Sequence, residues 1–210
     1  LAVGSLVGAG ALDLMTTPDT LEVGGDNTST NFDGLISGMG GLIKVGSGSL
    51  TLTNSANSFG TGRASGNPVI LVSGGELIVP SDDALGAAVG DGSIKIQNNA
   101  TLRFSGSTTL DANRGIELAS GGGKIAVNSG FSAVVPSSIS GSVAFVKLGD
   151  GVLRLTNNNL SFSGLVTVSD GTLTVNGTNP SSATCLSGAA SNLCVAPSPA
   201  PTPTPTPTPT

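Results

Sequence analysis

The chain has 210 residues and a mass of 20.3 kDa, with 32 Gly and 12 Pro but no Trp, Tyr or His, and its 8 Lys+Arg against 13 Asp+Glu leave a net charge of −5 and a pI of about 4.4. Without His there is no imidazole base, no Ser-His-Asp or Cys-His nucleophile system and no His-containing metal site. An acidic surface repels phosphate and offers no Tyr or Trp for bases to stack on, which excludes nucleic acid as a partner.

In chain order, residues 1–20 form an apolar, Gly-rich opening. Its first 12 residues carry no charge and are too short to cross a membrane as a helix. Ala9-Gly10-Ala11 resembles a signal-cleavage site, but no basic segment precedes it. This opening is read as a first coil or a subunit-contact strand. From residue 21 to 180 the local period is two. Segments 49–53, 76–79, 93–97, 100–104, 123–127, 152–156 and 172–175 alternate Leu, Ile or Val with Thr, Ser, Lys, Arg or Glu, as short strands do. Gly-Gly, Asn-Asn, Ser-Gly and Asp-Gly clusters separate them, where positive φ is cheap. No segment carries a 3.6-residue period, so the body is all-β.

Residues 181–196 hold the two cysteines, Cys185 and Cys194, separated by eight residues. A local disulfide closing a cap loop is the natural pairing and implies an oxidising, extracellular compartment. Two free thiols or half a metal site are weaker readings, because the spacing is not C-x-x-C. Residues 197–210 place seven of the 12 prolines at alternate positions, which dictates an extended polyproline-II rod. Composition permits a bare linker or a glycosylated stalk, with Thr202, Thr204, Thr206, Thr208 and Thr210 as the sugar acceptors.

The body is duplicated. Shifted by 103 residues, segment 36–59 matches segment 139–162 at 12 of 24 positions without a gap, and after a seven-residue shortening segment 72–79 parallels 168–175. Long-period repetition makes a solenoid the first fold to consider. Short strands, frequent turns and a core of small aliphatics fit a right-handed parallel β-helix, a β-solenoid of roughly 20 to 25 residues per coil and about seven or eight coils, ending in the Pro/Thr-rich tail. A β-sandwich is the runner-up, but it favours longer strands and a bulkier, more aromatic core.

At these residues the chain resembles the autotransporter-associated β-strand repeat of bacterial passenger domains. The resemblance rests on Ile36-Ser37-Gly38, Gly41-Leu42-Ile43-Lys44, Gly46-Ser47-Gly48-Ser49-Leu50-Thr51-Leu52, Asn57-Ser58-Phe59 and Gly75-Glu76-Leu77-Ile78-Val79. The second copy keeps Lys147, Gly149, Gly151, Leu153, Leu155, Phe162, Gly171, Leu173 and Val175, and Ala84-Leu85-Gly86 and Arg114-Gly115-Ile116 look like the family's connecting strands. The resemblance implies a secreted β-helix displayed outside a bacterial cell, adhesive or structural in role. With neither a translocator barrel nor a catalytic module beside the repeats, the expectation is a fragment of a longer autotransporter or a repeat used by a protein secreted another way.

Some β-helices cleave polysaccharides with paired carboxylates, so Asp82, Asp83 and Asp91 are the enzymatic candidates. Pro80-Ser81-Asp82-Asp83 instead reads as a turn in which Asp caps orphan amides, and no aromatic sugar platform accompanies it. Gly149-Asp150-Gly151 lacks the repeated spacing of a calcium-binding nonapeptide and reads as a turn. Lys44 and Lys147, at one repeat position, are expected to lay their stems on the coil surface with the ammonium in water. Asn54, Asn57, Asn98, Asn99 and the run at 157–159 read as turn caps or amide ladders, and the sequons at Asn27, Asn99, Asn159 and Asn176 as chance. The expected function is therefore non-enzymatic and extracellular, with no cofactor, no metal and no catalytic residue. Two versions stand: a passenger displayed for adhesion, or a subunit that stacks end to end into a filament through open strand edges.

Overall fold

A computed structural model describes residues 1–15, 20–63, 67–157 and 161–175 and the backbone of 186–187, with the side chains of 90–92 and 161 outside the description. Every strand pairing is parallel, and the chain winds about seven turns through three faces. The first face is an eight-stranded sheet of Ala2–Val3, Thr20–Val23, Gly41–Lys44, Ile70–Val72, Gly90–Ile96, Arg114–Leu118, Ile139–Gly141 and Ser161–Phe162. The second is an eight-stranded sheet of Thr30–Phe32, Ser49–Leu52, Glu76–Val79, Ala100–Phe104, Gly123–Val127, Phe145–Leu148, Val166–Val168 and Leu186–Ser187. The third face has two parts. Leu12–Leu14 pairs with Ile36–Gly38, and Thr108–Thr109, Ser132–Val135, Val152–Leu155 and Thr172–Val175 form a four-stranded sheet further along the axis.

Inward side chains stack in columns because the pairing keeps their parity from coil to coil. On the first face Leu21, Leu42, Ile70, Ile94, Ile116 and Ile139 follow one another. On the second, Leu50, Leu77, Leu102 and Ile125 do the same. All ten are 0 or 1% exposed. Each such aliphatic contributes about 1.5–3 kcal/mol on burial, which lets short strands without aromatic bulk hold together.

The duplication is not in phase with the winding. Ile36–Gly38, Gly41–Lys44 and Ser49–Leu52 occupy the third, first and second faces in turn, whereas their counterparts Ile139–Gly141, Phe145–Leu148 and Val152–Leu155 occupy the first, second and third. Four turns carry Leu42 to Ile139 on the first face, and the remaining step places Phe145 one face further round. The repeat therefore specifies strands and corners, not a fixed face.

The corners need glycine where successive coils touch. Gly46 has φ +69°, and a Cβ there would fall on the Gly24 carbonyl oxygen. Gly46→Ala is expected to destabilise the chain by about 2–4 kcal/mol, combining an unfavourable backbone region with a backbone collision. Chemical denaturation checks this, with Gly25→Ala, where a Cβ meets open space, as the unaffected comparison.

Candidate functional site

Among the described residues, the fully buried charged side chains are three cations. Lys44 and Lys147 are 0% exposed and Arg114 is 1% exposed. Both lysines occupy inward columns: Lys44 stands between Val23 and Val72, and Lys147 between Ile125 and Val168. The expectation that their stems lie on the surface is thus corrected. Each shares parity with the apolar residue two positions before it, Leu42 or Phe145, so its stem runs through the core.

The ammonium groups emerge at the corners. Lys44 Nζ donates to Val45 O at 2.6 Å, Gly46 O at 3.3 Å and Gly74 O at 3.3 Å. Lys147 Nζ donates to Leu148 O at 2.8 Å, Gly149 O at 2.6 Å and Asp170 O at 3.2 Å. Three donors meet three carbonyls, two in the lysine's own corner and one in the corner of the next coil. The same latch is thus built twice, on different faces. Burial lowers the Lys44 ammonium pKa from 10.5 and pushes that of Lys147 down to about 8, with the Asp170 and Asp150 carboxylates opposing the shift at Lys147. Between pH 8 and 10.5 the folded Lys147 has released a proton that the unfolded chain still holds, so the unfolded state binds more protons and stability rises with pH across that window. Denaturation midpoints at pH 7.5, 9 and 10 check this, and Lys147→Met should flatten the rise.

The third cation organises the place where the third face lacks strands. Here residues Asp82–Leu85 form one 3-10 turn in place of a strand. Arg114 crosses beneath it and donates from Nε to Asp82 Oδ1 at 2.7 Å, from Nη1 to Leu85 O and Ala87 O at 3.3 and 3.2 Å, and from Nη2 to Gly86 O at 2.7 Å. Asn57 completes the repair. Its Oδ1 accepts the Ile36 N–H at 2.8 Å and its Nδ2 donates to Ala84 O at 3.0 Å, so one amide bridges three successive coils where no ladder runs.

Comparisons with known proteins agree with this architecture. The family model of the passenger-associated transport repeat matches residues 42–63 and 145–175. The chain is 31% identical over 173 residues to the adhesin BmaC autotransporter of Brucella suis biovar 1 (strain 1330), an alignment covering 82% of this chain and 5% of the adhesin. The chain belongs to the autotransporter-associated β-strand repeat family. No solved structure matches it significantly. The chain spans about one-twentieth of that relative's length. Both matched segments include a latch strand and the corner after it, so a lysine followed two residues later by a glycine, Lys44 and Gly46 or Lys147 and Gly149, is the sequence mark of the ammonium and its carbonyls.

The carboxylates proposed for sugar cleavage are not brought together among the described side chains. Asp82 is ion-paired with Arg114 at 2.7 Å, and Asp83 is exposed. The Asp91 backbone lies in the Gly90–Ile96 strand, and its side chain is outside the description. The capping role expected for Asp82 is also corrected. Its carboxylate takes the guanidinium, its own N–H is held by Thr108 Oγ1 at 2.9 Å, and Ser81 at the cap position makes no side-chain bond. Gly149-Asp150-Gly151 forms a corner, where Gly149 has φ +73° and gives its carbonyl to Lys147. Asn27, Asn98 and Asn99 take left-handed turn positions, and Asn27 Oδ1 accepts the Ser47 N–H at 2.9 Å. Among the described residues no group of three or more Asp, Glu or Cys is placed to hold a metal ion, and no helix is long and apolar enough to cross a membrane. Cys185, Cys194, Asn159, Asn176 and Thr202, Thr204, Thr206, Thr208 and Thr210 lie outside the described residues.

The pairing of Arg114 with the Leu85–Ala87 carbonyls was not foreseen. The signal was present in two motif fragments of the family, Ala84-Leu85-Gly86 and Arg114-Gly115-Ile116, but nothing in one dimension joins residues 28 positions apart.

Proposed function

We propose that this chain is a length of surface-displayed passenger, an adhesin-type rod outside a bacterial cell, whose work is structural and adhesive and not catalytic. The observation that carries the reading is the double latch, because both copies use a buried cation to hold successive coils in register. The named adhesin relative and the repeat family support it. So does the charge distribution: with Lys44, Arg114 and Lys147 buried, and Lys95 and Arg103 paired to Glu117 and Glu76, the solvent-facing surface is more acidic than the net charge states. Such a surface keeps a displayed rod soluble and disfavours polyanionic partners. In this reading a Cys185–Cys194 disulfide closes the C-terminal side, and the Pro-Thr rod spaces the solenoid from its neighbour, with Thr202 to Thr210 as glycan acceptors.

A second version is end-to-end association. Leu1, Val7 and Met15 are 76, 72 and 72% exposed in the first coil, and the inward Val3, Leu6 and Leu12 are only partly covered. Open parallel edges of that kind accept a further strand. The test displays the chain on a non-adherent bacterium and counts cells retained on host-cell and extracellular-matrix surfaces. Retention above the empty display scaffold supports the adhesive role, and retention equal to it on every surface overturns it. Electron microscopy of the purified chain separates single rods from filaments.

A further inference from the structure

One aromatic ring and one cation stand apart from the rest of their kind. Of the six phenylalanines, Phe32, Phe59, Phe104, Phe145 and Phe162 are 0 to 6% exposed, whereas Phe131 is 40% exposed. The cations divide in the same way. Lys44, Arg114 and Lys147 are latched inside, Lys95 and Arg103 are held by Glu117 and Glu76 at 2.8 and 2.7 Å, Arg63 and Lys124 are half-buried, and Arg154 is exposed. No carboxylate among the described residues pairs with Arg154.

The winding brings these two side chains to the same face. Phe131 stands at the corner that enters Ser132–Val135, and its carbonyl accepts the Val152 N–H at 2.9 Å. Ala133 and Leu153 point into the core, so alternation turns Val134, Val152 and Arg154 outward. Pairing sets Val134 beside Arg154 and Ser132 beside Val152. Neighbouring strands stand about 4.8 Å apart and alternate residues about 6.6 Å apart along a strand, so Phe131, Val134 and Val152 make a short apolar ledge with the guanidinium at its far end. Thr109, Ser132, Thr172 and Thr174 surround it. The outer columns of the other two faces carry Glu22, Glu117 and Glu76, but no strand of this four-stranded sheet contains an acid. Asp150 and Asp170 precede it at the corner, on the Phe131 side, where they repel a second acid.

We propose that this patch is an adhesive contact of the rod, and that its partner is an extended polypeptide segment carrying apolar side chains and one carboxylate. The identity of the partner rests on the adhesive reading above; the patch itself does not. Aromatic side chains and arginine are the residues that protein interfaces concentrate and that carry their binding energy. A guanidinium takes a carboxylate through two parallel N–H donors, and the ledge gives apolar side chains a dry seat beside it. Elsewhere the acidic rod repels the same segment, which confines it to this face with its acid over Arg154 and its apolar end over Phe131.

The test titrates the isotope-labelled full chain with a blocked Gly-Leu-Ser-Leu-Ser-Glu-Gly peptide and follows the amide resonances. Those of Phe131, Val134, Val152 and Arg154 should move, and those of the first and second faces should not. Arg154→Gln should weaken binding about tenfold, and so should glutamine in place of the peptide's glutamate; the two changes together should cost no more than either alone. Phe131→Ser should weaken both peptides about tenfold. Both side chains are exposed, so unchanged denaturation midpoints will show that the variants fold. No movement of the patch at millimolar peptide, movement centred on another face, or additive losses from the two charge changes would overturn the proposal. So would a carboxylated oligosaccharide that moves the patch where the peptide does not, since the partner would then be a glycan. Displayed cells retained equally with and without Arg154→Gln and Phe131→Ser would refute the patch and leave the adhesive reading standing. A patch that takes the peptide on a chain that no host-cell or matrix surface retains would refute the adhesive reading and leave the patch.

Discussion

Lys147→Met is expected to lower stability by about 2–4 kcal/mol and to open the coils around it before the rest of the rod, because methionine refills the stem's volume but leaves three partly buried carbonyls without the ammonium donor. The three are those of Leu148, Gly149 and Asp170, which the ammonium now holds at 2.8, 2.6 and 3.2 Å. An unmatched carbonyl costs up to about 1–3 kcal/mol when fully buried and less where, as here, it is partly buried, and relief of the buried charge offsets part of the sum. Solenoids lose structure coil by coil, so the local signature is the sharper one. Amides of Phe145 and Ser169 should lose protection, while those of Leu42 and Ser73, on the other latch, should keep theirs. Lys44→Met should give the mirror result. Hydrogen exchange with chemical denaturation of both variants checks this. A uniform loss along the rod, or none, contradicts the latch.

Arg114→Met should cost more, about 3–5 kcal/mol, through a different failure. Removing the guanidinium leaves the Asp82 carboxylate, only 14% exposed at its side chain, without a partner, and strips donors from the carbonyls of Leu85, Gly86 and Ala87. The 3-10 turn Asp82–Leu85 should then detach, uncovering Ala84, Leu85 and Phe59, all 0% exposed in the intact chain. Arg114→Lys should recover less than half of the loss, because one ammonium cannot span four acceptors. Asp82→Asn with Arg114→Met should be milder than Arg114→Met alone, since it removes the unpaired charge. Denaturant midpoints of the three variants check this order.

The sequence exposed the strands wherever alternation was clean. Segments 76–79, 100–104, 123–127 and 172–175 coincide with observed strands to the residue. Weaker signals hid two strands of the third face. Ile36–Gly38 and Ser132–Val135 are short, and turn-forming Ser and Gly or mixed parity obscure their period. Lys44 and Lys147 were misplaced because Leu42-Ile43 and Phe145-Val146 put apolar residues at both parities, leaving the lysine's side undecided. A cue lay in the duplication itself: both copies keep a lysine two residues before a corner glycine. The rotation of the repeat could not be read, because it depends on coil lengths that vary with insertions such as residues 61–68. Asp82 looked like an isolated turn residue because its partner stands 32 positions away.

The rotation joins these observations, since it is what places one latch at the corner after the first face and the other at the corner after the second. Paired cysteines read it directly. In a chain whose Cys185 and Cys194 are serine, Lys124→Cys with Val146→Cys puts two thiols on adjacent strands at a paired position of the second face. Glu117→Cys with Val146→Cys would be the adjacent pair if the two copies were stacked in phase. Mass spectrometry after mild oxidation should find the first pair closed and the second open. A disulfide in the second pair and none in the first would contradict the account.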